Sequence, residues 1–455
     1  MKGLVLAAGK GEKLAPFSMT RPKSMIPVAN VPICERIVES LKENGIEEVA
    51  LVIGPMGERI RNWLGDGSRL GVKITYLEQA TPSGTASAAA LAKDFVGDED
   101  FILVHGDLVF HPDVLKAVIN DHLKNQTLCS VLSTKAGDPM HSFGASADES
   151  GRIKEVAWRP RDLNVQILGL YAFSRRAMDY ILNNPGIMLS VPVGIMPAKE
   201  AELNESLSEM VENGELVKAV ETAGYVVDVD YPWDIITASR FAVLGMINEI
   251  KTTEVEKGAY VSSGAKVQGP IYVGEGSRVE DGVYIEGPVW IGHNSRISRG
   301  AIVEGPSVIG DNSTLDAYCY VAHSVIGNNV KIGHAAEVFG IIFDRVYIVH
   351  YSEIAGIIGE STDIGAATVV GTLRFDDERA IVDVKGNKKI AENVAFVGDY
   401  CRTGVNAILM PGVRIGPYSI VGPGVILYDD LEPNKILLAK QELIKKDWGP
   451  SKYGW

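Results

Sequence analysis

Along the first hundred or so residues, short apolar runs alternate with segments of helical spacing. KGLVLA (2–7), EVALVIG (48–54), KITYLEQ (73–79) and DFILVHGD (100–107) are near-continuous apolar runs of strand length, the pattern of parallel strands buried on both faces. Between them PICERIVESLKENG, GERIRNWLGDG and SGTASAAALAKDF read as crossover helices. In the first of these Ile33, Ile37 and Leu41 share one face, and Gly45 stands where a helix C-terminal glycine is expected. This grammar predicts a doubly wound α/β domain, with a more strand-rich lobe over about 130–230. YPWDIITASRFAVLGMINEI (231–250) predicts a closing helix.

From Val261 the period changes. Val261, Val267, Val273, Val279, Ile285, Ile291, Ile297, Val303, Ile309, Leu315 and Val321 stand six residues apart without a miss. The pattern slips by one, resumes at Ile326, Ile332 and Val338, and returns at Val397, Thr403, Leu409, Ile415 and Val421. A six-residue period, with Gly often following the aliphatic residue, predicts a β-helix in which each side of a triangular coil turns one aliphatic inward. Neither an α-helix nor a sandwich has that period. A charged stretch, 371–393, interrupts the repeat and is expected to project from the coil. The expected division is therefore 1–240 for the α/β domain, 241–257 for a linking helix, 258–428 for the β-helix and 429–455 for a polar tail.

With 455 residues and 46% hydrophobic content the chain can bury more than one core. The formal net charge of −14 argues against nucleic acid or an acidic membrane as partner, since both select clustered Lys and Arg. No apolar stretch approaches the roughly 20 residues of a membrane span. Cys34, Cys129, Cys319 and Cys401 are far apart and form no CxxC pair, which predicts buried free thiols and a reducing, cytoplasmic setting.

The first candidate site is LAAGKGEKLAPFSMTRPK (6–23). Gly9 and Gly11 follow a strand, so their turn can offer backbone N–H groups to an anion, and Lys10, Lys13, Arg21 and Lys23 add positive charge. The stretch is not a P-loop, because no GK[ST] follows, and not a dinucleotide fingerprint, because Leu14 occupies the third glycine's place. It predicts a phosphate-holding turn for a small molecule.

LAAGKGEKL followed by TRPKSMIPVANVPI resembles the signature of the sugar-1-phosphate nucleotidylyltransferases. The six-residue repeat behind it is similar to their two-domain branch, the archaeal bifunctional uridylyltransferase/acetyltransferases. The likeness takes in essentially the whole chain, including HGDLVF, EGPVWIG, TLRFD and VKG. It implies a Rossmann-like nucleotidyltransferase domain followed by a left-handed parallel β-helix of hexapeptide repeats. The reaction implied joins a sugar-1-phosphate to a pyrimidine nucleoside triphosphate with loss of pyrophosphate, UDP-N-acetylglucosamine being the expected product. Leu6, Ala7, Gly9, Gly11, Gln79, Gly84 and Thr85 match nucleotide-binding positions, and Lys13, Lys23 and Asp107 the catalytic ones. Asp107 and Asp228 match Mg²⁺ ligands, Asp230 being a rival for the latter, and Gly144 and Arg159 match sugar-binding positions. His350 matches an acetyltransferase base, with acetyl-CoA as the donor that the resemblance implies, and the β-helix implies a homotrimer.

The chain departs from this pattern in places. Lys13 replaces an arginine, keeping charge but losing the bidentate fork. Trp158-Arg159-Pro160 and Ile167-Leu168-Gly169 stand where the family has Glu-Lys-Pro and Asn-Ala-Gly, so the sugar pocket loses a carboxylate and an amide. Around His350 the family's tyrosine is Glu353, with Tyr351 a weak substitute. The paired asparagines are Asp363 and Thr372, and two loop lysines are Glu378 and Ile381. These losses predict little or no acetyl transfer. They also leave a second reading, a non-catalytic regulatory or scaffold subunit that binds a sugar nucleotide; retention of Lys23, Asp107 and Asp228 favours the enzyme.

Overall fold

A computed structural model describes residues 1–135, 143–158, 164–186 and 200–450. The four apolar runs form parallel strands, in the order Lys73–Glu78, Glu48–Ile53, Lys2–Ala7, Phe101–His105. The chain thus winds outward in one direction from Lys2–Ala7, then returns to add Phe101–His105 on its other side. A crevice opens at such a reversal, at the carboxyl ends of the two central strands. The strand-rich lobe extends the same sheet: Val165–Phe173 runs antiparallel to Phe101–His105, and Phe143–Ala147 and Ile153–Trp158 continue beyond it. Cys129–Lys135 and Val217–Glu221 pair alongside. Helix Ile33–Glu43 buries Ile33, Ile37 and Leu41 on the face that the sequence spacing picked out, and Pro232–Asn248 is the closing helix.

The second domain is a parallel β-helix, left-handed, whose strands stack from Glu254–Val255 to Ile436–Leu437. Its regular coils take 18 residues, as in the stack of Val279, Ile297 and Leu315. From Val273 to Val338 every aliphatic of the six-residue series is fully buried, whereas Val261 and Val267 at the open end are only partly covered. The slip in the repeat has a simple cause: Leu315 pairs with Ile332 and Ile332 with Ile348, so these coils are one and two residues shorter. The corner is straightened where Glu337–Ile342 and Glu353–Ile358 run on as six-residue strands.

The charged insertion forms a hairpin, Ala380–Val384 with Asn387–Ala391, and leans back on the first domain. There Val382, Val384 and Ala391 pack with Tyr231 and Trp233. The two domains share one apolar core, in which Phe17, Val28, Ile235 and Val243 meet Val308, Val325, Ile341, Phe343, Ile357 and Phe396. The rings of Phe17 and Phe343 lie 5.5 Å apart, and Asn30 donates to the carbonyl of Ile326 at 2.7 Å. All four cysteines are buried free thiols. Among the described residues no helix is long and apolar enough to cross a membrane.

Candidate active site

The crevice at the strand reversal is a cavity of about 220 Å³. Leu6, Ala7 and Gly9 reach it from the end of Lys2–Ala7, His105 and Asp107 from the end of Phe101–His105, and Gln79, Gly84 and Thr85 from the turn after Lys73–Glu78. Lys23 closes one side. Residues spread over a hundred positions in sequence are thus gathered by the strand order alone. Two glycines are required by this geometry. Gly11 has φ 62°, and a Cβ there would stand 3.0 Å from the Cβ of Lys23; Gly84 has φ 102°, and a Cβ would meet the carbonyl oxygen of Ala201 at 2.3 Å.

At the mouth of the cavity Lys23 is almost fully buried among three carboxylates. Its Nζ lies 2.6 Å from Asp107 Oδ2, 2.7 Å from Asp230 Oδ1 and 3.7 Å from Asp228 Oδ1. Lys13 approaches from outside, its Nζ 3.0 Å from Asp230 Oδ2. Burial alone would depress the Lys23 ammonium, but Asp107, Asp228 and Asp230 more than reverse this and hold it firmly charged. Lys13 follows the same balance, with Asp230 outweighing burial. Asp228 is held above the ordinary carboxylate range, first by the enclosing protein and next by the charge of Asp107. Its side chain is still 57% open to solvent, which moderates the effect.

Oxygen atoms of Asp107, Asp228 and Asp230 all lie within 4.8 Å of one another. A cluster of hard oxygen donors beside a lysine and a glycine turn suits Mg²⁺, which takes a couple of carboxylates and leaves the rest of its shell to phosphate and water. Asp228 and Asp230 are placed by strand Val226–Asp228, which pairs antiparallel with Leu108–Phe110 and so lies directly beside Asp107.

The remaining expected residues are placed as follows. Thr85 faces the cavity, but its hydroxyl donates to Glu202 Oε2 at 2.5 Å and accepts from the backbone N–H of Leu203 at 2.9 Å. Glu202 and Glu200, which also line the cavity, were invisible as site residues in the sequence, because nothing around AKEAEL marks a motif. Gly144 lies in a strand opposite Ala157, away from the cavity lining; Ile167 is buried in the core of the strand-rich lobe. Arg159 and Pro160 lie outside the described residues, as does the side chain of Trp158.

His350 is not among the residues lining this cleft; it lies on the β-helix, in the turn after Tyr347–Ile348. Its ring meets Tyr351 edge-on at 5.1 Å, Tyr351 meets His334 at 5.6 Å, and His334 meets Tyr318 at 5.9 Å, in successive coils. Asp363 is paired with Arg402, and Glu353 is exposed on its strand. Glu378 and Ile381 belong to the insertion, whose hairpin leans on Tyr231 and Trp233 of the first domain.

Residues 2–242 match the model of the nucleotidyl transferase family, residues 267–385 that of the GMPPB C-terminal domain, and residues 395–429 the bacterial transferase hexapeptide repeat. The bifunctional protein GlmU of Methanococcus maripaludis is 33% identical over 452 residues, 98% of each chain. GlmU of Methanocaldococcus jannaschii is 30% identical over 98% of this chain and 99% of its own. The bifunctional sugar-1-phosphate nucleotidylyltransferase/acetyltransferase of Sulfurisphaera tokodaii is 26% identical over 95% of this chain and 98% of its own. On the strength of these matches the chain belongs to the nucleotidyl transferase family, as an enzyme of the sugar-1-phosphate nucleotidyltransferase kind with a hexapeptide-repeat domain behind it.

Proposed function

We propose that the enzyme makes a UDP-sugar, UDP-N-acetylglucosamine first among the candidates, from UTP and the sugar-1-phosphate. The observation that carries nucleotidyl transfer is the placement of Lys23 between Asp107, Asp228 and Asp230 at the mouth of a cleft lined by the glycine turn. The choice of uridine and N-acetylglucosamine follows the resemblance to the bifunctional relatives. In the proposed reaction an oxygen of the sugar phosphate forms a bond to the α-phosphorus, the bond from that phosphorus to the bridging oxygen breaks, and pyrophosphate leaves. Asp107 and Asp228, with Asp230 beside them, would hold Mg²⁺, which when bound neutralises charge on the phosphates. The chain's own residues orient and steady the rest. Backbone N–H groups of the Gly9–Gly11 turn cradle the triphosphate, Lys13 and Lys23 face the negative charge that grows on the transferred and leaving groups, and Gln79 with the Gly84-Thr85 turn receives the base. A scaffold subunit would have no need of this cluster, which is why the catalytic reading is preferred. The setting proposed is the cytoplasm, where both substrates are small soluble anions. The test is pyrophosphate release across a grid of nucleoside triphosphates and sugar-1-phosphates, with UTP and N-acetylglucosamine-1-phosphate expected to be the fastest pair. Silence across the whole grid would overturn the reading.

The β-helix presents flat sides with exposed Ile302, Tyr347, Ile420 and Ile426, and three such prisms are proposed to pack into a homotrimer. Light scattering on the full chain is expected to give three times the monomer mass; a monomer would refute it.

Acetyl transfer is expected to be absent or very slow. It needs a base beside the sugar amine and donors that hold the sugar phosphate and the tetrahedral oxyanion. His350 alone is retained, Glu353 and Glu378 bring negative charge in place of a tyrosine and a lysine, and the insertion that carries the lysine positions is spent on Tyr231 and Trp233. Thiol release from acetyl-CoA with glucosamine-1-phosphate should stay at background. Turnover that disappears in His350→Ala would show the opposite.

A further inference from the structure

The stretch from Gly11 to Lys23 has two sides. One faces the cleft; the other lies against the β-helix, where a second, separate set of charges holds it. Thr20 and Arg21 both donate to Oδ2 of Asp399, and Arg21 Nη2 also donates to Glu360 Oε2 at 2.9 Å. Asp399 is completely buried, and its other oxygen, Oδ1, accepts from the backbone N–H of Glu360 at 2.7 Å. The Arg21 guanidinium lies over the Phe343 ring, 5.3 Å from its centroid, and Glu360 is held in turn by Arg345. At the other end of the stretch Lys385, at the tip of the hairpin, pairs with Glu12.

We infer that Asp399, a β-helix residue, is a positioning residue for nucleotidyl transfer: by anchoring Thr20 and Arg21 it sets Lys23 in the cleft of the other domain. The inference rests on the nucleotidyl transfer reading. Only Pro22 separates Arg21 from Lys23, and its fixed φ, here −58°, leaves little slack. Two residues of chain reach at most about 7 Å, so a shift of the Arg21 anchor passes to Lys23 almost undiminished. Displacement of a phosphate-facing group by about 1 Å costs on the order of 10²-fold in rate. An exposed ion pair would be too weak and too mobile to act this way. This one is buried on both partners, and a single nitrogen of the permanently charged guanidinium, Nη2, donates to both carboxylates. The Glu12–Lys385 pair, half exposed, adds little by comparison.

The test is steady-state pyrophosphate release by the full-length Asp399→Asn variant beside the wild type. The expected result is a fall in kcat of about ten- to a hundredfold with a several-fold rise in KM for the nucleoside triphosphate. A merely structural role would lower the active fraction and leave that KM unchanged. Arg21→Ala and the double variant complete a cycle, in which the double is expected to lose no more than the worse single. Should Asp399→Asn fail to fold, Thr20→Val removes one hydroxyl donor and no charge, and a two- to fivefold rise in the same KM is expected of it. An unchanged KM in whichever of these variants folds, with the wild type turning over, overturns the inference. A wild type inactive with every substrate pair instead removes the nucleotidyl transfer reading on which it rests.

Discussion

Asp107→Asn is expected to abolish pyrophosphate release, by about 10³-fold or more, with the fold intact. The substitution keeps the size and shape of the side chain but replaces a carboxylate with an amide that binds Mg²⁺ poorly and carries no charge. A loss of that size corresponds to about 4 kcal/mol of transition-state stabilisation, a reasonable sum for a metal ligand and an anchor of Lys23 removed together. Folding should survive because the Asp107 side chain is 25% exposed, while the strand before it, Phe101–His105, buries Phe101 to Val104 without its help. Pyrophosphate release at saturating Mg²⁺, read beside the circular dichroism melt, is the measurement. Turnover near the wild-type rate would take Asp107 out of the site.

Lys23→Met is the second large effect, and it acts on both stability and rate. With its cation gone, Asp107, Asp228 and Asp230 face one another with Lys13 alone beside them. Stripping one partner from a largely buried charge cluster costs about 3–5 kcal/mol, moderated here because Asp228 is still well solvated. The sign with pH follows from the direction of the shift. The ammonium of Lys23 is held above its ordinary range in the folded protein, so its contribution is fully present below the unfolded lysine value of about 10.4 and fades only as pH rises beyond it. At neutral pH the variant therefore shows the whole deficit. Mg²⁺ should restore part of it, and should raise the variant's melting temperature more than the wild type's, since in the wild type the ion competes with Lys23 for the same carboxylates. Pyrophosphate release is expected to fall about 10²–10³-fold. Equal Mg²⁺ shifts in the two proteins would mean that lysine and metal do not share the site.

Both domains could be read from spacing because each buries one kind of side chain at one period. The three inner parallel strands are largely covered, so they appear as near-unbroken apolar runs, while the edge strand Lys73–Glu78 is only partly buried and carries Thr75 and Tyr76 among its apolar residues. The coils turn a single aliphatic inward per side, so the period of six survives even where Thr403 replaces it. The glycine turn, Lys23, Asp107 and Asp228 could be found because they sit at strand ends or carry a motif. Glu202 could not, since what brings it to Thr85 is a helix start more than a hundred residues away. Nor could Asp399, whose partners Thr20 and Arg21 lie in another domain. Contacts made across a domain boundary leave no periodic trace in either sequence. The insertion was legible as a break in the repeat, but its destination on Tyr231 and Trp233 was not.

The shared core has a consequence for how the protein is made. The first domain leaves the ribosome with Phe17, Val28 and Ile235 uncovered, because the residues that complete their packing, Phe343 and Phe396 among them, are still unsynthesised. Roughly 150 more residues must follow the closing helix before Phe396 exists, which at about 5–20 residues per second is on the order of ten seconds to half a minute. Through that interval the nascent chain carries an unshielded oily face next to its glycine-rich loop. Slowing translation across the coils should therefore raise the demand for chaperones, and synonymous codon choice between residues 250 and 400 becomes a determinant of yield.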